Sequence, residues 1–315
     1  MRVSIYGAGQ AGTAVRGILA GQDGMHVLGP FGRDQRSAAL DSGADAVVIA
    51  TTSFLADVAG DIRQAVTAGS NVITTAEEAA FPWQFHADLA EELDALARRY
   101  DVTILGAGLN PGLAFDALVL TAAGAVATAR SLQVERVVDL SAFSATILRR
   151  LGIGFWPQEF AAGVAAGSIT GHIGFPQSMR IVARRMGVRI ERIDRDIQPI
   201  AAQAACDLPQ LQVRPGQSAG FHQRYTAIAG GRPWFEAVFL GHVDPAAAGY
   251  PTRDEITIST GAAPLHLTIE PGINPQAGSS AVIANSVRRL VEAPPGWLTV
   301  ADLPPACPAG ETGQR

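Results

Sequence analysis

Lysine is absent from this chain of 315 residues, and all 24 basic side chains are arginines. This absence excludes any mechanism that depends on a lysine Schiff base or a lysine general acid. Charged residues make up only 17% of the chain and the net charge is −5, so no broad basic field is present to attract a nucleic-acid backbone. We therefore expect neither lysine chemistry nor a nucleic-acid partner.

Cysteine and long apolar runs are also scarce. Cys206 and Cys307 lie far apart with no CxxC spacing, which fits neither a zinc site nor a secreted disulfide framework. The first residues show no signal-peptide pattern, and every apolar run is shorter than the roughly 20 residues that a membrane span needs. We expect a cytoplasmic protein without a bound metal or a membrane segment.

Apolar residues are abundant, at 48% of the chain, and in the first hundred residues they follow two alternating patterns. Short β-branched runs predict strands at Val3–Tyr6, Met25–Leu28, Ala46–Ala50, Asn71–Thr75 and Val102–Leu105. Between them, apolar spacings of three and four residues predict helices at Ala11–Ala20, Ser37–Ser42, Phe54–Ala68 and Phe85–Arg99. This order predicts an α/β Rossmann domain with a doubly wound parallel sheet.

The pattern changes near residue 131, where longer alternating segments predict a second α+β domain with an open, mainly antiparallel sheet. We expect the dinucleotide-binding domain at 1–130, with 279–303 returning to it, the substrate and dimerisation domain at 131–278, and a loose tail at 304–315. Helices are predicted at Pro157–Ala166, Pro176–Met186 and Ser280–Glu292.

A glycine-rich loop follows the first predicted strand and opens the first predicted helix. It reads Gly7-Ala8-Gly9-Gln10-Ala11-Gly12, a complete G-x-G-x-x-G. The first glycine permits a tight turn, the second lets the backbone approach a pyrophosphate, and the third allows close helix–strand packing. We expect dinucleotide binding here; the alternative is a glycine turn with a purely structural role.

The end of the second predicted strand indicates which dinucleotide is bound. An NAD-preferring site usually has an acidic residue there, but this chain reads Pro30-Phe31-Gly32-Arg33, and Arg36 follows. A guanidinium can bind a 2′-phosphate with two parallel hydrogen bonds. We therefore predict a preference for NADP(H), with NAD(H) still possible; the alternative is that both arginines are ordinary surface residues.

Two other predicted strand ends carry polar side chains. Thr51, Thr52 and Ser53 follow the third strand, and Asn110-Pro111-Gly112 follows the fifth. Because ligands of open α/β sheets bind at the carboxyl ends of strands, both segments are candidate cofactor contacts. The alternatives are a helix cap by Ser53 and an ordinary turn in which Asn110 bonds to local backbone.

Three further motifs occur in order along the chain, and together they resemble one family. They are Ala76-Glu77-Glu78-Ala79-Ala80-Phe81-Pro82-Trp83, Leu105-Gly106-Ala107-Gly108-Leu109-Asn110-Pro111-Gly112 and Gly171-His172-Ile173-Gly174-Phe175-Pro176-Gln177-Ser178. The chain resembles the 2,4-diaminopentanoate dehydrogenase and native amine dehydrogenase family, relatives of dihydrodipicolinate reductase. The resemblance implies a Rossmann domain, an α+β substrate domain and NAD(P)H-dependent interconversion of a carbonyl plus ammonia with an amine.

The same resemblance implies a catalytic glutamate in the segment that contains Glu77 and Glu78. Both residues follow a predicted strand, where a carboxylate can relay protons and stabilise an iminium cation. The sequence leaves open which of the pair faces the substrate. The alternative is that one or both of them cap the next helix, which we expect for at least one.

The substrate pocket is predicted from the second domain's motifs. Candidate residues are Phe143, Phe155, His172, Phe175 and Gln177, with plain packing as the alternative for His172 and the aromatic residues. Family members that act on a diamine resemble Pro-Glu-Ser at the position where this chain has Pro176-Gln177-Ser178. A neutral amide cannot pair with a second ammonium, so a small, apolar ketone or aldehyde is expected.

The sequence thus predicts a homodimeric amine dehydrogenase that joins a small carbonyl compound with ammonia. One alternative is a cyclic-imine reductase or an amino-acid-type dehydrogenase related to dihydrodipicolinate reductase, although the chain lacks that enzyme's lysine and His-His run. Another is a catalytically silent NADP-sensing protein, against which the glutamate pair argues.

Overall fold

The computed structural model describes residues 1–308, and part of the predicted loose tail, 309–315, lies outside them. The strands are β1 Arg2–Tyr6, β2 His26–Phe31, β3 Ala46–Ile49, β4 Asn71–Thr74, β5 Thr103–Gly106, β6 Ser131–Asp139, β7 Arg192–Ala201, β8 Cys206–Leu208, β9 Leu211–Val213, β10 Ser218–Ala229, β11 Arg232–His242, β12 Arg253–Ser259, β13 Leu265–Ile269 and β14 Gly296–Leu298. The helices are α1 Gln10–Ala20, α2 Arg36–Leu40, α3 Leu55–Thr67, α4 Ala87–Arg99, α5 Ala117–Ala123, α6 Ala145–Arg150, α7 Pro157–Ala165, α8 Phe175–Met186 and α9 Pro275–Val291.

Contacts divide the chain into two compact units. The first contains residues 1–120, 176–186 and the chain from 274 onward, and the second contains 121–175 and 187–273. Most of α8, which the sequence places in the second domain, therefore packs within the first unit. None of the described helices is both long and apolar enough to cross a bilayer.

The first unit is built on a six-stranded sheet in the order β14-β5-β4-β3-β1-β2. Every pairing in it is parallel, which confirms the predicted doubly wound sheet. All four residues of β3, Ala-Val-Val-Ile, are buried, because separate apolar clusters cover the two faces of the sheet. Such a sheet brings the carboxyl ends of its strands to one edge, where ligands bind.

The edge strand β14 is absent from the sequence-based prediction. Gly296, Trp297 and Leu298 pair in parallel with the start of β5, and Trp297 is buried in the apolar cluster on one face. Helix α9, which precedes this strand, begins at Pro275, five residues before the predicted start at Ser280, and Asn274 caps it by accepting hydrogen bonds from two backbone N–H groups. The chain's final segments therefore complete the first unit's sheet.

The second unit contains a six-stranded sheet in the order β13-β12-β6-β11-β10-β7 and a small β8–β9 hairpin. The large sheet is antiparallel except between β6 and β11, which run parallel, so the prediction of a mainly antiparallel sheet is confirmed. Arg136 is almost completely buried in this sheet and pairs with Asp254, with 2.5 Å between Nε and Oδ1. Burial lowers the pKa of Arg136, and the Asp254 carboxylate opposes that effect.

Candidate active site

The glycine loop between β1 and α1 has the geometry of a dinucleotide cradle. Gly7 has φ +122°, and a Cβ there would lie 2.3 Å from the Ala50 carbonyl oxygen. A Cβ on Gly12 would lie 1.9 Å from the Gly7 carbonyl oxygen, so the fold itself requires both glycines. A Cβ on Gly9, by contrast, would meet no protein atom within 4 Å. The space beside Gly9 therefore fits a ligand that approaches the backbone closely.

The N-terminus of α1 suits a negatively charged ligand. Its N-cap residue Gly9 offers no side-chain cap, and the first turn contains no acidic residue. Gln10 and Ala11 are exposed in that turn, and Gln10 Nε2 lies 2.6 Å from Gln276 Oε1 in α9. A helix N-terminus of this kind attracts phosphate groups. The diphosphate of a dinucleotide fits this part of the chain.

The two arginines after β2 differ in their surroundings. Arg33 is exposed at the start of a short 3-10 turn. The guanidinium of Arg36 binds α3 instead, with 2.5 Å from its Nε to Asp61 Oδ1 and 2.6 Å from its Nη1 to Gln64 Oε1. Arg33 is therefore the better candidate for contact with a 2′-phosphate.

The loop after β3 is tied to the start of α3. The Thr52 hydroxyl accepts a hydrogen bond from the Phe54 N–H and lies 3.3 Å from Asp57. Thr51 is exposed, whereas Ser53 is buried and its carbonyl accepts a hydrogen bond from the Glu78 N–H. The N-cap residue of α3 is Phe54, so Ser53 does not occupy the position that the alternative interpretation gave it.

The two glutamates after β4 occupy different environments. Glu78 Oε2 accepts a hydrogen bond from the Leu55 N–H at 2.8 Å and lies 3.1 Å from His86 Nε2. Its carboxylate therefore caps α3, the helix before it in the chain, and not the next helix that the sequence analysis expected. Glu77 lines a cavity at the carboxyl ends of β4 and β5. The geometry thus distinguishes two residues that the sequence could not.

The cavity beside Glu77 has a volume of about 40 Å³. One buried water needs roughly 10–15 Å³ on this measure, so the space accepts a small polar group rather than a whole substrate. Its lining residues are Thr75, Ala76, Glu77, Ala80, Ala107, Gly108, Leu109, Asn110, Pro111 and Ser279.

Asn110 is the most unusual residue in this lining. It is only 8% exposed, yet neither its Oδ1 nor its Nδ2 has a hydrogen-bond partner among the described residues. The peptide bond to Pro111 is cis, and Gly112 adopts φ +133°, where a Cβ would lie 2.1 Å from the Gly108 carbonyl oxygen. Because buried amides are nearly always paired, this one is suited to a bound ligand.

The turn that carries Glu77 is supported by two residues to which the sequence analysis gave no such role. A Cβ on Gly106 would lie 2.2 Å from the Ala79 carbonyl carbon, so β5 touches the turn directly. Trp297 Nε1 donates a hydrogen bond to the Ala79 carbonyl oxygen at 3.0 Å. The run of small residues around Gly106 was a usable signal, whereas nothing in the sequence pattern indicated Trp297.

The candidate pocket residues of the second unit differ in their burial and contacts. Gln223 clamps the His172 main chain, accepting from its N–H at 2.8 Å and donating to its carbonyl at 3.1 Å. The His172 ring lies 5.3 Å from that of Phe175, which is fully buried. Phe143 and Phe155 are half-buried. Gln177 belongs to the first unit, where it is 1% exposed and its Oε1 has no partner among residues 1–308.

Residues 1–308 hold no group of three or more His, Cys, Asp or Glu side chains placed to bind a metal ion.

The parallel sheet, the glycine cradle and the polar strand ends define a two-domain dehydrogenase of the Rossmann type. A family model described as the 2,4-diaminopentanoate dehydrogenase C-terminal domain matches residues 113–314. The chain belongs to this family of NAD(P)-dependent oxidoreductases, which act on CH–NH2 donors, and the predicted resemblance is confirmed.

A sequence relative agrees with the family, and two solved structures share the fold. The 2,4-diaminopentanoate dehydrogenase of Acetoanaerobium sticklandii is 28% identical over 330 residues, which cover 96% of this chain and 93% of that protein. An amine dehydrogenase from Mycobacterium smegmatis has the same fold, with a TM-score of 0.81 and 22% identity over 98% of this chain and 97% of that one. A biliverdin reductase from Synechocystis, solved with biliverdin and NADP+, is more distant, with a TM-score of 0.52 and 12% identity over 92% and 89% of the two chains.

Proposed function

We propose that this chain is an NADP(H)-preferring amine dehydrogenase, which converts a small, apolar ketone or aldehyde and ammonia reversibly into a primary amine. In the forward direction one carbonyl compound, one ammonia, one NADPH and one proton give one amine, one NADP+ and one water. The family supports the chemistry at the CH–NH2 group. Ammonia, the apolar carbonyl substrate and the NADP preference are specific to this proposal.

The observation that carries the proposal is that Glu77 and Asn110 line the same small cavity. Neither lysine nor histidine lines that cavity, so Glu77 is its proton-transfer group. Glu78 is not available for this role because its carboxylate caps α3 and contacts His86. A carboxylate can transfer protons and stabilise a cation, and an amide can hydrogen-bond a bound ligand.

The cofactor fits the first unit's residues. Gly7, Gly9 and Gly12 would hold its diphosphate at the N-terminus of α1, with Gln10 and Ala11 in the same turn. Thr51, in the loop after β3, would lie beside the cofactor, and Asn110 would contact its nicotinamide. When bound, NADPH supplies the hydride that reduces the iminium carbon.

Glu77 has three tasks in this mechanism. As ammonia adds to the carbonyl carbon, the carbonyl oxygen takes a proton from the solvent and becomes a hydroxyl, and the carboxylate takes a proton from the nitrogen. It then gives that proton to the departing hydroxyl, which leaves as water. The regenerated carboxylate stabilises the positive iminium, which is the species that accepts hydride. In the direction of amine oxidation, the same residue removes the proton from the attacking water.

An apolar substrate is proposed because the segment that precedes Ser178 is neutral. Gln177 is buried and uncharged, so it offers no carboxylate to a second ammonium group. The aromatic cluster around Phe175 gives the second unit an apolar core. A homodimer and a cytoplasmic location remain predictions from the sequence.

Cofactor preference is tested at Arg33. Replacing Arg33 by Ala should cost about 1.5–3 kcal/mol of NADPH binding, the range for hydrogen bonds to charged groups, and leave NADH binding unchanged. Titration of both cofactors by calorimetry measures the difference. Arg63→Ala is the matched control, because Arg63 is an arginine of the same unit that pairs with Glu92 on α4. Equal losses for NADPH and NADH would show that Arg33 does not bind the 2′-phosphate.

The activity itself is tested with purified protein, NADPH and a panel of aliphatic ketones and aldehydes in concentrated ammonium buffer. We expect NADPH oxidation that requires both the carbonyl compound and ammonium, with the amine identified by mass spectrometry. Sodium salt at equal ionic strength is the control. Oxidation that is independent of ammonium, or absent across the panel, would refute the proposed function.

A further inference from the structure

Asp116 is a fully buried carboxylate that the proposed mechanism does not use. Its Oδ2 accepts hydrogen bonds from the Gly112 N–H and the Ser178 hydroxyl, both at 2.8 Å. Its Oδ1 accepts one from the Ala117 N–H at 2.7 Å. Burial raises the pKa of Asp116, and these donors oppose that effect. Burying a carboxylate costs free energy unless it is hydrogen-bonded, so the partners of Asp116 indicate its role.

A local role in starting α5 explains only the bond from Ala117. The other oxygen accepts from two groups outside that helix. Gly112 lies in the turn that follows Asn110, and Ser178 lies in α8, 62 positions further along the chain. Asp116 therefore links two separate segments of the first unit through one atom, Oδ2.

Each of these segments carries a buried amide without a partner among the described residues. Asn110, two positions before Gly112, lacks partners for both amide atoms. Gln177, next to Ser178, lacks one for Oε1. Buried polar atoms are almost always hydrogen-bonded. Two amides without partners, each close to a donor that binds Asp116, therefore indicate groups that bind a ligand.

We propose that Asp116 is a positioning residue, which holds the Asn110 turn and the Gln177 segment of α8 so that both amides meet polar groups of the ligands. This inference rests on the proposed function, because it assigns the Asn110 amide to the cofactor and Gln177 Oε1 to a hydrogen-bond donor on the reacting amine. Asp116 itself touches neither ligand.

Ser178→Ala tests one of the two links alone. It removes the hydroxyl that joins α8 to Asp116 and should raise the KM of the carbonyl substrate about tenfold, with NADPH affinity unchanged. Ser178→Thr keeps the hydroxyl and should restore the KM. The matched control is Ser70→Ala, which removes a fully buried hydroxyl that donates to the Ala44 carbonyl at 2.7 Å, at the end of β4 opposite to Glu77.

Asp116→Asn weakens both links, because it replaces the carboxylate acceptor with a neutral amide, which forms weaker hydrogen bonds and whose nitrogen cannot accept any. We expect about tenfold weaker NADPH binding in a fluorescence titration, together with the raised carbonyl KM. If Asp116 has only a structural role, Ser178→Ala and Asp116→Asn should lower the melting temperature, as Ser70→Ala does, and leave NADPH affinity and the carbonyl KM unchanged. That result would overturn the inference.

The two proposals fail in different ways. Wild-type protein without ammonium-dependent turnover would refute the proposed function, whereas NADPH titration of Asp116→Asn needs no turnover and still tests the positioning role. If Asp116→Asn does not fold, the carbonyl KM of Ser178→Ala decides the question.

Discussion

Replacing Glu77 by Gln is expected to lower ammonium-dependent turnover by about 10²–10⁴-fold, the usual contribution of a general acid–base group. The substitution keeps the size and one hydrogen-bonding oxygen, but it removes the transferable proton and the charge that stabilises the iminium. NADPH affinity should change little, because the proposed diphosphate site is the glycine loop and does not include Glu77. Steady-state kinetics with a cofactor titration measures both quantities.

Glu78→Gln is the matched control for this experiment. A glutamine oxygen at position 78 can still accept the hydrogen bond from the Leu55 N–H, so turnover should remain within a few-fold of the wild type. If both single variants keep nearly full activity, the pair has no part in proton transfer, and His172 becomes the next candidate. If Glu78→Gln alone abolishes turnover, the roles assigned to the two residues are reversed.

Replacing Gly9 by Ala is expected to weaken NADPH binding on the order of 100-fold, the cost of losing one charge-assisted hydrogen bond to the diphosphate. The new methyl group would meet no protein atom within 4 Å, and the φ of −77° at this position is ordinary for any residue. The folded protein should therefore keep its melting temperature. A loss of binding with unchanged stability is the signature of a ligand displaced from its site.

Gly17→Ala on the same helix is the control for Gly9→Ala. Gly17 lies inside α1, and a Cβ there also meets no atom within 4 Å. Alanine in a helix interior should raise stability by roughly 0.5–1 kcal/mol and leave cofactor binding unchanged. Wild-type NADPH affinity in Gly9→Ala would show that the loop is a structural turn only.

The sequence predicted the elements that depend on local patterns. The strand β3 and the helix α3 were located within one residue at each end, because a buried β-branched run and a long amphipathic stretch are both strong signals. Strand β14 was missed because its three residues, Gly-Trp-Leu, are too few for any periodicity to appear. The parallel pairing of β6 with β11 was also invisible, since strand alternation carries no information about direction.

The candidate site shows the same division between local and distant information. The glycine loop is a contiguous motif, so it could be placed on β1 and α1 from the sequence. The roles of Glu77 and Glu78 differ only through groups elsewhere in the chain, such as the Leu55 N–H, 23 positions away. The side chain of Arg36 is likewise positioned by its contact with Asp61, and no sequence spacing predicts that contact.

The position of β14 at one edge of the parallel sheet has a consequence for how the chain folds during synthesis. The second unit's residues are all made by position 273, whereas the first unit's sheet needs β14, at 296–298. The contact between α1 and α9 also joins segments far apart in the chain, and such contacts close slowly. On the ribosome, the first unit is therefore begun before the second unit and completed after it. Until residues 296–298 are made, the edge of β5 has no partner strand and the Glu77 turn lacks the support of Trp297.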